Sequence, residues 1–292
     1  MKTQKWIIAL FCCLFLIFGC KNDDTDIKNT DGFWMEIAGK IIPSSDIDYY
    51  DFSTHFVYFK KEQAFLKEDL EPGSFTVYTG DTKIYTGTIH PMYLDYMLSG
   101  AYLEKRSQYT LAIGFASSPV ETIDPRSDSR IIAALKSEGK YHAGLHTEVQ
   151  SIRFLSDNQV SFDFQLYNPD TFDYLFLDPE KIDIGLFHYY GNGLVFLNEE
   201  NTKRYYPKIS IVQPEPWNSW EKEWLSVIRS GETKQFTITY DQFDPMPKGN
   251  YLASFDFSGL PSYFVAQKDL NQSDGRIWLG ESSTTLNCTK SN

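Results

Sequence analysis

From Phe33 onward, apolar side chains recur at every second position in short runs broken by Gly, Asn, Asp and Pro. That period suits strands with one buried face and argues against a protein built on amphipathic helices. Val160, Phe162, Phe164 and Leu166 share one face of such a run. Phe236, Ile238 and Tyr240 repeat the pattern, and Leu111, Ile113 and Phe115 alternate with Ala112 and Gly114. A strand patterned this way needs a second layer over its apolar face, so the expected class is mainly β, with antiparallel sheets stacked as sandwiches. Thr79-Gly80-Asp81-Thr82 predicts a hairpin joining residues 75–78 to 83–89. Gly191-Asn192-Gly193 predicts another between 184–190 and 194–197, because Asn-Gly tolerates the positive φ values of a tight turn.

A few short helices interrupt the strands. Residues 91–99 begin with proline and stop at Gly100, and residues 129–138 carry a serine at the start and Gly139 just past the end. A third helix is expected over 217–229, between Pro214-Glu215-Pro216 and Gly231. Strand patterning lapses between Ser117 and His146, which divides the folded chain into an N-terminal part, 33–146, and a C-terminal part, 147–292, each of ordinary domain size. In the C-terminal part, the alternating run 160–166 is followed by Asn168. Gly231-Glu232-Thr233 then leads into 236–240, and Lys248-Gly249-Asn250-Tyr251 leads into a final alternating strand. These features resemble immunoglobulin-like domains of the bacterial proteinase-inhibitor type. The resemblance, with the shared strand rhythm of the N-terminal part, implies two immunoglobulin-like antiparallel β-sandwich domains in tandem.

The first residues read as an address. Lys2 and Lys5 precede an apolar run from Trp6 to Phe18 that ends at Gly19-Cys20. At about 1.5 Å per residue this run is too short, as a helix, for a bilayer core of roughly 30 Å, so a cleaved signal over 1–19 is expected rather than a permanent span. Ile17-Phe18-Gly19-Cys20 resembles a bacterial lipobox, which implies cleavage before Cys20 and a diacylglycerol carried on its thiol, with palmitate among the acyl chains. Lys21, Asn22, Asp23 and Asp24 resemble the acidic export signal of surface-exposed outer-membrane lipoproteins of the Bacteroidetes. Residues 20–32 would then be the acylated cysteine and its tether, the membrane would be a partner through the lipid, and the folded parts would face outside the cell. Cys12 and Cys13 leave with the signal, so the mature chain keeps one free thiol, Cys288, and forms no internal disulfide.

Motifs for chemistry are scarce. The chain has no G-x-S-x-G, no H-E-x-x-H, no phosphate-binding glycine loop and no paired C-x-x-C, so no catalytic residue and no cofactor are expected. His142 and His146 would face together only on a helix, which Gly139 and Gly144 argue against, so with Glu148 they are read as no metal site. Asp46, Asp48 and Asp51, and Asp124 with Asp128, lack the regular ligand spacing of a calcium loop and read as solvated. With 27 basic and 39 acidic side chains, a formal net charge of -12, nucleic acid is not an expected partner.

Aromatics are the remaining signal. On a helix, Trp217, Trp220, Trp224, Leu225 and Ile228 form one stripe, either a lid on the core or an exposed platform for a glycan or protein. Tyr49-Tyr50, Tyr189-Tyr190 and Tyr205-Tyr206, read as strand pairs, each send rings to opposite faces and leave at least one exposed. Trp217, Trp220, Trp224, Tyr189 and Tyr190 are the expected ligand-binding residues. The functional expectation is a surface-anchored, non-enzymatic binding or accessory module. The alternative is an extracellular proteinase inhibitor using the Pro-containing loop 117–129.

Overall fold

The computed structural model describes residues 32–91, 98–117 and 122–291. Cys20, the lipobox and Lys21–Asp24 lie outside the described residues, as do most of the expected helix at 91–99 and part of the loop at 117–129. The protein is mainly β, with several sheets and two short α-helices among the described residues. No helix there is long and apolar enough to cross a membrane.

The N-terminal strands are β1 (Phe33–Ile37), β2 (Lys40–Ile42), β3 (Ile47–Asp51), β4 (Phe56–Phe59), β5 (Gly73–Thr79), β6 (Thr82–Ile89), β7 (Gly100–Ser107), β8 (Thr110–Ala116) and β9 (Tyr141–His142). They make one sheet of nine strands in the order β2-β1-β5-β6-β7-β8-β4-β3-β9. An immunoglobulin-like sandwich has two facing sheets; here a single sheet curls on itself until Phe33 of β1 meets Tyr50 of β3, ring centroids 5.7 Å apart. Helix α1 (Ser129–Ser137) fills the gap, burying Ile131 and Leu135 against that interior. Its start is fixed by Asp128, whose carboxylate accepts from the Arg130 amide at 2.8 Å. The hairpin at Gly80-Asp81 joins β5 to β6 as the turn chemistry requires, with Gly80 at φ 53°.

The C-terminal strands are β10 (His146–Phe154), β11 (Val160–Tyr167), β12 (Tyr174–Leu177), β13 (Gly193–Asn198), β14 (Arg204–Tyr205), β15 (Leu225–Ile228), β16 (Thr233–Tyr240), β17 (Gly249–Ser258), β18 (Asn271–Gln272), β19 (Gly275–Ile277) and β20 (Glu281–Lys290). Sheet β10-β11-β16 turns its apolar face to sheet β14-β13-β17-β20. Phe162 and Phe164 meet Phe255 across the interface with ring centroids 5.0 and 4.6 Å apart. The third sheet, β15-β12-β19-β18, extends toward the N-terminal part.

Two expectations exchange places. Residues 184–190, read as a strand, form helix α2 (Ile184–Tyr190), because Asp183 caps it by accepting from the Leu186 amide at 2.8 Å. Residues 217–229, read as a helix, form a turn, one short helical turn at Lys222–Trp224, and then β15. The entirely buried strand β12 needs a neighbour for its backbone groups, and β15 supplies it in the register Leu177↔Leu225 to Tyr174↔Ile228. That long-range pairing overrides the local 3.6-residue period.

The two parts meet along a buried seam. Tyr50 faces the interior of the nine-stranded sheet, whereas Tyr49 points outward and is covered by Leu175, Leu177 and Ile277. Both tyrosines are therefore buried, contrary to the expectation that one is exposed. Asp51, expected to be solvated, is wholly buried and accepts from the Ser53 amide, the Ser53 hydroxyl and, across the seam, the Trp278 indole at 3.2 Å. Burial raises its pKa. Arg276 stacks on Tyr49 at 3.6 Å from the ring centroid and donates to Asp48 at 3.0 Å. The Tyr109 hydroxyl donates to the Val265 carbonyl at 2.7 Å. His142 donates from Nδ1 to Asp170 at 3.1 Å, Tyr174 donates to the same carboxylate at 2.8 Å, and the Gly144 amide lies 3.3 Å from it. His146 is exposed at the start of β10, and no group of three His, Cys, Asp or Glu side chains among the described residues is arranged to hold a metal ion.

Burial opposes ionisation of Asp170, but the bonds from His142 and Tyr174 outweigh it and hold the carboxyl at about 2. A folded-state pKa below the unfolded value contributes stability above the unfolded value of about 4, lost as pH falls through the folded one. Thermal melts of wild type and Asp170→Asn from about pH 6 to pH 2 should show the variant less stable at the upper end and the gap closing below about pH 4.

Candidate functional site

A cleft of about 620 Å³ opens where the two parts diverge from the seam. One wall comes from β7, β8 and the turn ahead of β4; the other comes from the connection after β17 and the start of β20. Its floor depends on glycines. A Cβ on Gly280 would lie 2.6 Å from both the Trp278 ring and the Thr54 methyl, and one on Gly259 would lie 2.3 Å from the Trp278 carbonyl. Neither position has room for a side chain, so the chain passes closely over Trp278 and the Gly259 amide donates to the Gly280 carbonyl at 2.7 Å.

The charged groups in the cleft are held in place. Arg106 pairs with Glu104 at 2.8 Å and lies over the Phe56 ring. Arg126 grips Asp124 through Nε and Nη2 at 2.9 and 2.6 Å and donates from Nη1 to the Ile113 carbonyl at 2.7 Å. Asp124, expected to be a solvated acid, is thus the partner of that arginine. Tyr102 packs over Gly114 on the same wall, where a Cβ would lie 2.0 Å from its ring. Burial lowers the pKa of His55 to about 3, so its imidazole is neutral at ordinary pH, with Nδ1 2.9 Å from the Tyr50 hydroxyl. Burial, with the charge of Asp256 added, raises the pKa of Glu281 at the opposite lip.

The sequence-expected aromatics gather beside this cleft, though on no common helix. Tyr190, near the end of α2, lines the cleft and donates its hydroxyl to the Ser219 carbonyl at 3.0 Å. Tyr189 donates to the Trp217 carbonyl at 2.7 Å. Trp217, 52% exposed, meets Phe264 edge to face at 5.4 Å, and Tyr263, 59% exposed, meets the same ring at 4.7 Å. Trp220 and Trp224 pack against the seam core instead. Trp217 therefore presents outward, Tyr190 faces the cleft, and Tyr189, Trp220 and Trp224, all half-buried, pack against the seam core.

Tyr102, Glu104, Arg106, Arg126 and Tyr263 were missed by sequence reasoning. Only Tyr263-Phe264, an aromatic pair just after Pro261 in a connection between strands, carried a local signal; the charged pairs acquire meaning only when distant segments meet. Compared with known proteins, the chain matches no family model and no curated protein.

The tight floor has a direct consequence. Gly280→Val should destabilise the fold by about 1–3 kcal/mol, as overpacked sites do, and should shift the emission of Trp278; a melt and spectrum identical to wild type would show that the floor is loose.

Proposed function

We propose that this chain is a non-enzymatic, lipid-anchored protein on the outer face of the outer membrane, and that it binds an extracellular ligand, a glycan or a protein, in the cleft between its two parts. The observation that carries this reading is the convergence of Tyr190, Trp217, Tyr263 and Phe264 beside a polar cleft whose arginines are already oriented by carboxylates. Rigid aromatics supply contact area at low entropic cost, and groups fixed beforehand lose little freedom on binding. The C-terminal part is taken as an immunoglobulin-like sandwich beginning near residue 147. The support is its strand order, β10-β11-β16 against β14-β13-β17-β20. The competing reading, a proteinase inhibitor, draws on Ile123, 84% exposed just ahead of the clamped Asp124–Arg126 turn.

Two experiments follow. Cys20→Ala should abolish labelling by a palmitate analogue and release the protein from the membrane fraction; unchanged labelling contradicts the anchor. Purified full-length protein in detergent should capture ligands from an extracellular glycan and protein panel. The Trp217→Ala, Tyr263→Ala double variant should bind roughly tenfold more weakly without a change in melting temperature, since both rings are half exposed. Capture unaffected by the double variant would remove the cleft from the account, and stoichiometric inhibition of a protease would favour the inhibitor reading.

A further inference from the structure

The outer face of sheet β14-β13-β17-β20 holds a second concavity, of about 500 Å³, that shares no lining residue with the cleft. Alternation along these strands sends Leu194, Phe196, Ala253 and Phe255 into the core. Val195, Leu197, Leu252, Ser254 and Asp256 are left on the outer face. The ladder sets them in rows: Leu197 lies between Arg204 and Leu252, Val195 beside Ser254, and Gly193 beside Asp256. The result is an apolar strip with an arginine at one end and an aspartate at the other, flanked by Tyr206, 47% exposed.

Arg204 is unusual in this chain. Arg106, Arg126, Arg130, Arg153, Arg229 and Arg276 each sit against a carboxylate. Arg204, among the described residues, has no such partner, although the chain carries a net charge of -12 and acids are plentiful. Asp256 likewise has no cationic partner among the described residues, and its charge helps raise the pKa of Glu281 after burial itself. The strip therefore presents one uncompensated charge of each sign. The four-residue step from Leu252 to Asp256 spans about 13 Å along β17 at about 3.3 Å per residue, and Arg204 lies two strands to the side, about 10 Å across, so the backbones of Arg204 and Asp256 are about 16 Å apart on a diagonal.

We infer that this face is a second binding site, for a short extended peptide with free termini and apolar side chains. The carboxylate seats on Arg204, where a planar guanidinium can grip it through two parallel hydrogen bonds. The terminal ammonium reaches Asp256, and the side chains between cover Val195, Leu197 and Leu252. An extended chain of about four residues, roughly 13 Å long, crosses the strands obliquely, and the long Arg204 side chain reaches across the rest. An anionic lipid or fatty acid fits less well, because the end opposite Arg204 is lined by Ser254 and Asp256, which ask for a donor or a cation rather than a hydrocarbon tail.

Titration calorimetry of the full-length protein in detergent tests this, with the peptide Ala-Leu-Leu-Ala and its N-acetylated and C-amidated forms. The free peptide should bind, and amidation or Arg204→Ala should each weaken binding roughly tenfold, the loss of one charge-assisted contact. The two changes together should cost little more than either alone, which marks them as partners. Acetylation and Asp256→Asn should behave the same way at the other end. Both substitutions are at surface positions, and unchanged melting temperatures confirm that the fold is retained. No binding of the free peptide, equal binding of the blocked forms, or additive losses for Arg204→Ala and amidation would each overturn the assignment. Loss of peptide binding in the Trp217→Ala, Tyr263→Ala variant would place the peptide in the cleft and overturn it as well.

Discussion

Asp51, wholly buried at the end of β3, accepts from the Trp278 indole across the seam, and the arrangement of both parts follows from that contact. A carboxylate out of water is costly unless its lone pairs are occupied, and the Ser53 amide and hydroxyl complete what Trp278 begins. Trp278 in turn lies under Phe257 of the C-terminal sandwich, so the same ring joins that core to the nine-stranded sheet. Nearby, the Asp170 carboxylate gathers His142 from one part and Tyr174 from the other. Polar groups that take a partner from the opposite part set the register of the junction, which apolar packing alone leaves free to slide.

The cleft inherits its shape from this junction. Its floor is the chain passing over Trp278, its walls are β7 and β8 on one side and the connection after β17 with the start of β20 on the other, and its aromatic rim hangs from α2 and the connection after β17. A ligand therefore meets arginines already clamped by Glu104 and Asp124 and rings already packed on Phe264. Preorganisation of this kind lowers the ordering cost of binding, and it needs no lid or hinge.

Much of the strand content was legible from alternation alone: β11, β16 and β8 fall where Val160, Phe236 and Leu111 mark them, and the Gly80-Asp81 turn and helix α1 carry their own chemistry. The errors came where local period and long-range pairing disagree. Residues 184–190 and 225–228 are short apolar runs that suit either state; Asp183 decides the first and the demand of β12 decides the second. The burial of Tyr49 and Asp51 was illegible because the covering layer comes from residues beyond 170. For the site, Tyr189, Tyr190 and Trp217 could be named from residue type. Their meeting with Tyr263, Arg106 and Arg126 depends on contacts such as Tyr109 to Val265, 156 residues apart in the chain, which no local pattern encodes.

If the seam fixes the cleft, the two parts cannot unfold independently. Scanning calorimetry of the full-length protein tests this most directly. The account predicts one cooperative transition whose calorimetric and van't Hoff enthalpies agree. Two resolved transitions, each with its own enthalpy, would show that the parts are joined loosely and that the cleft between them has no fixed shape.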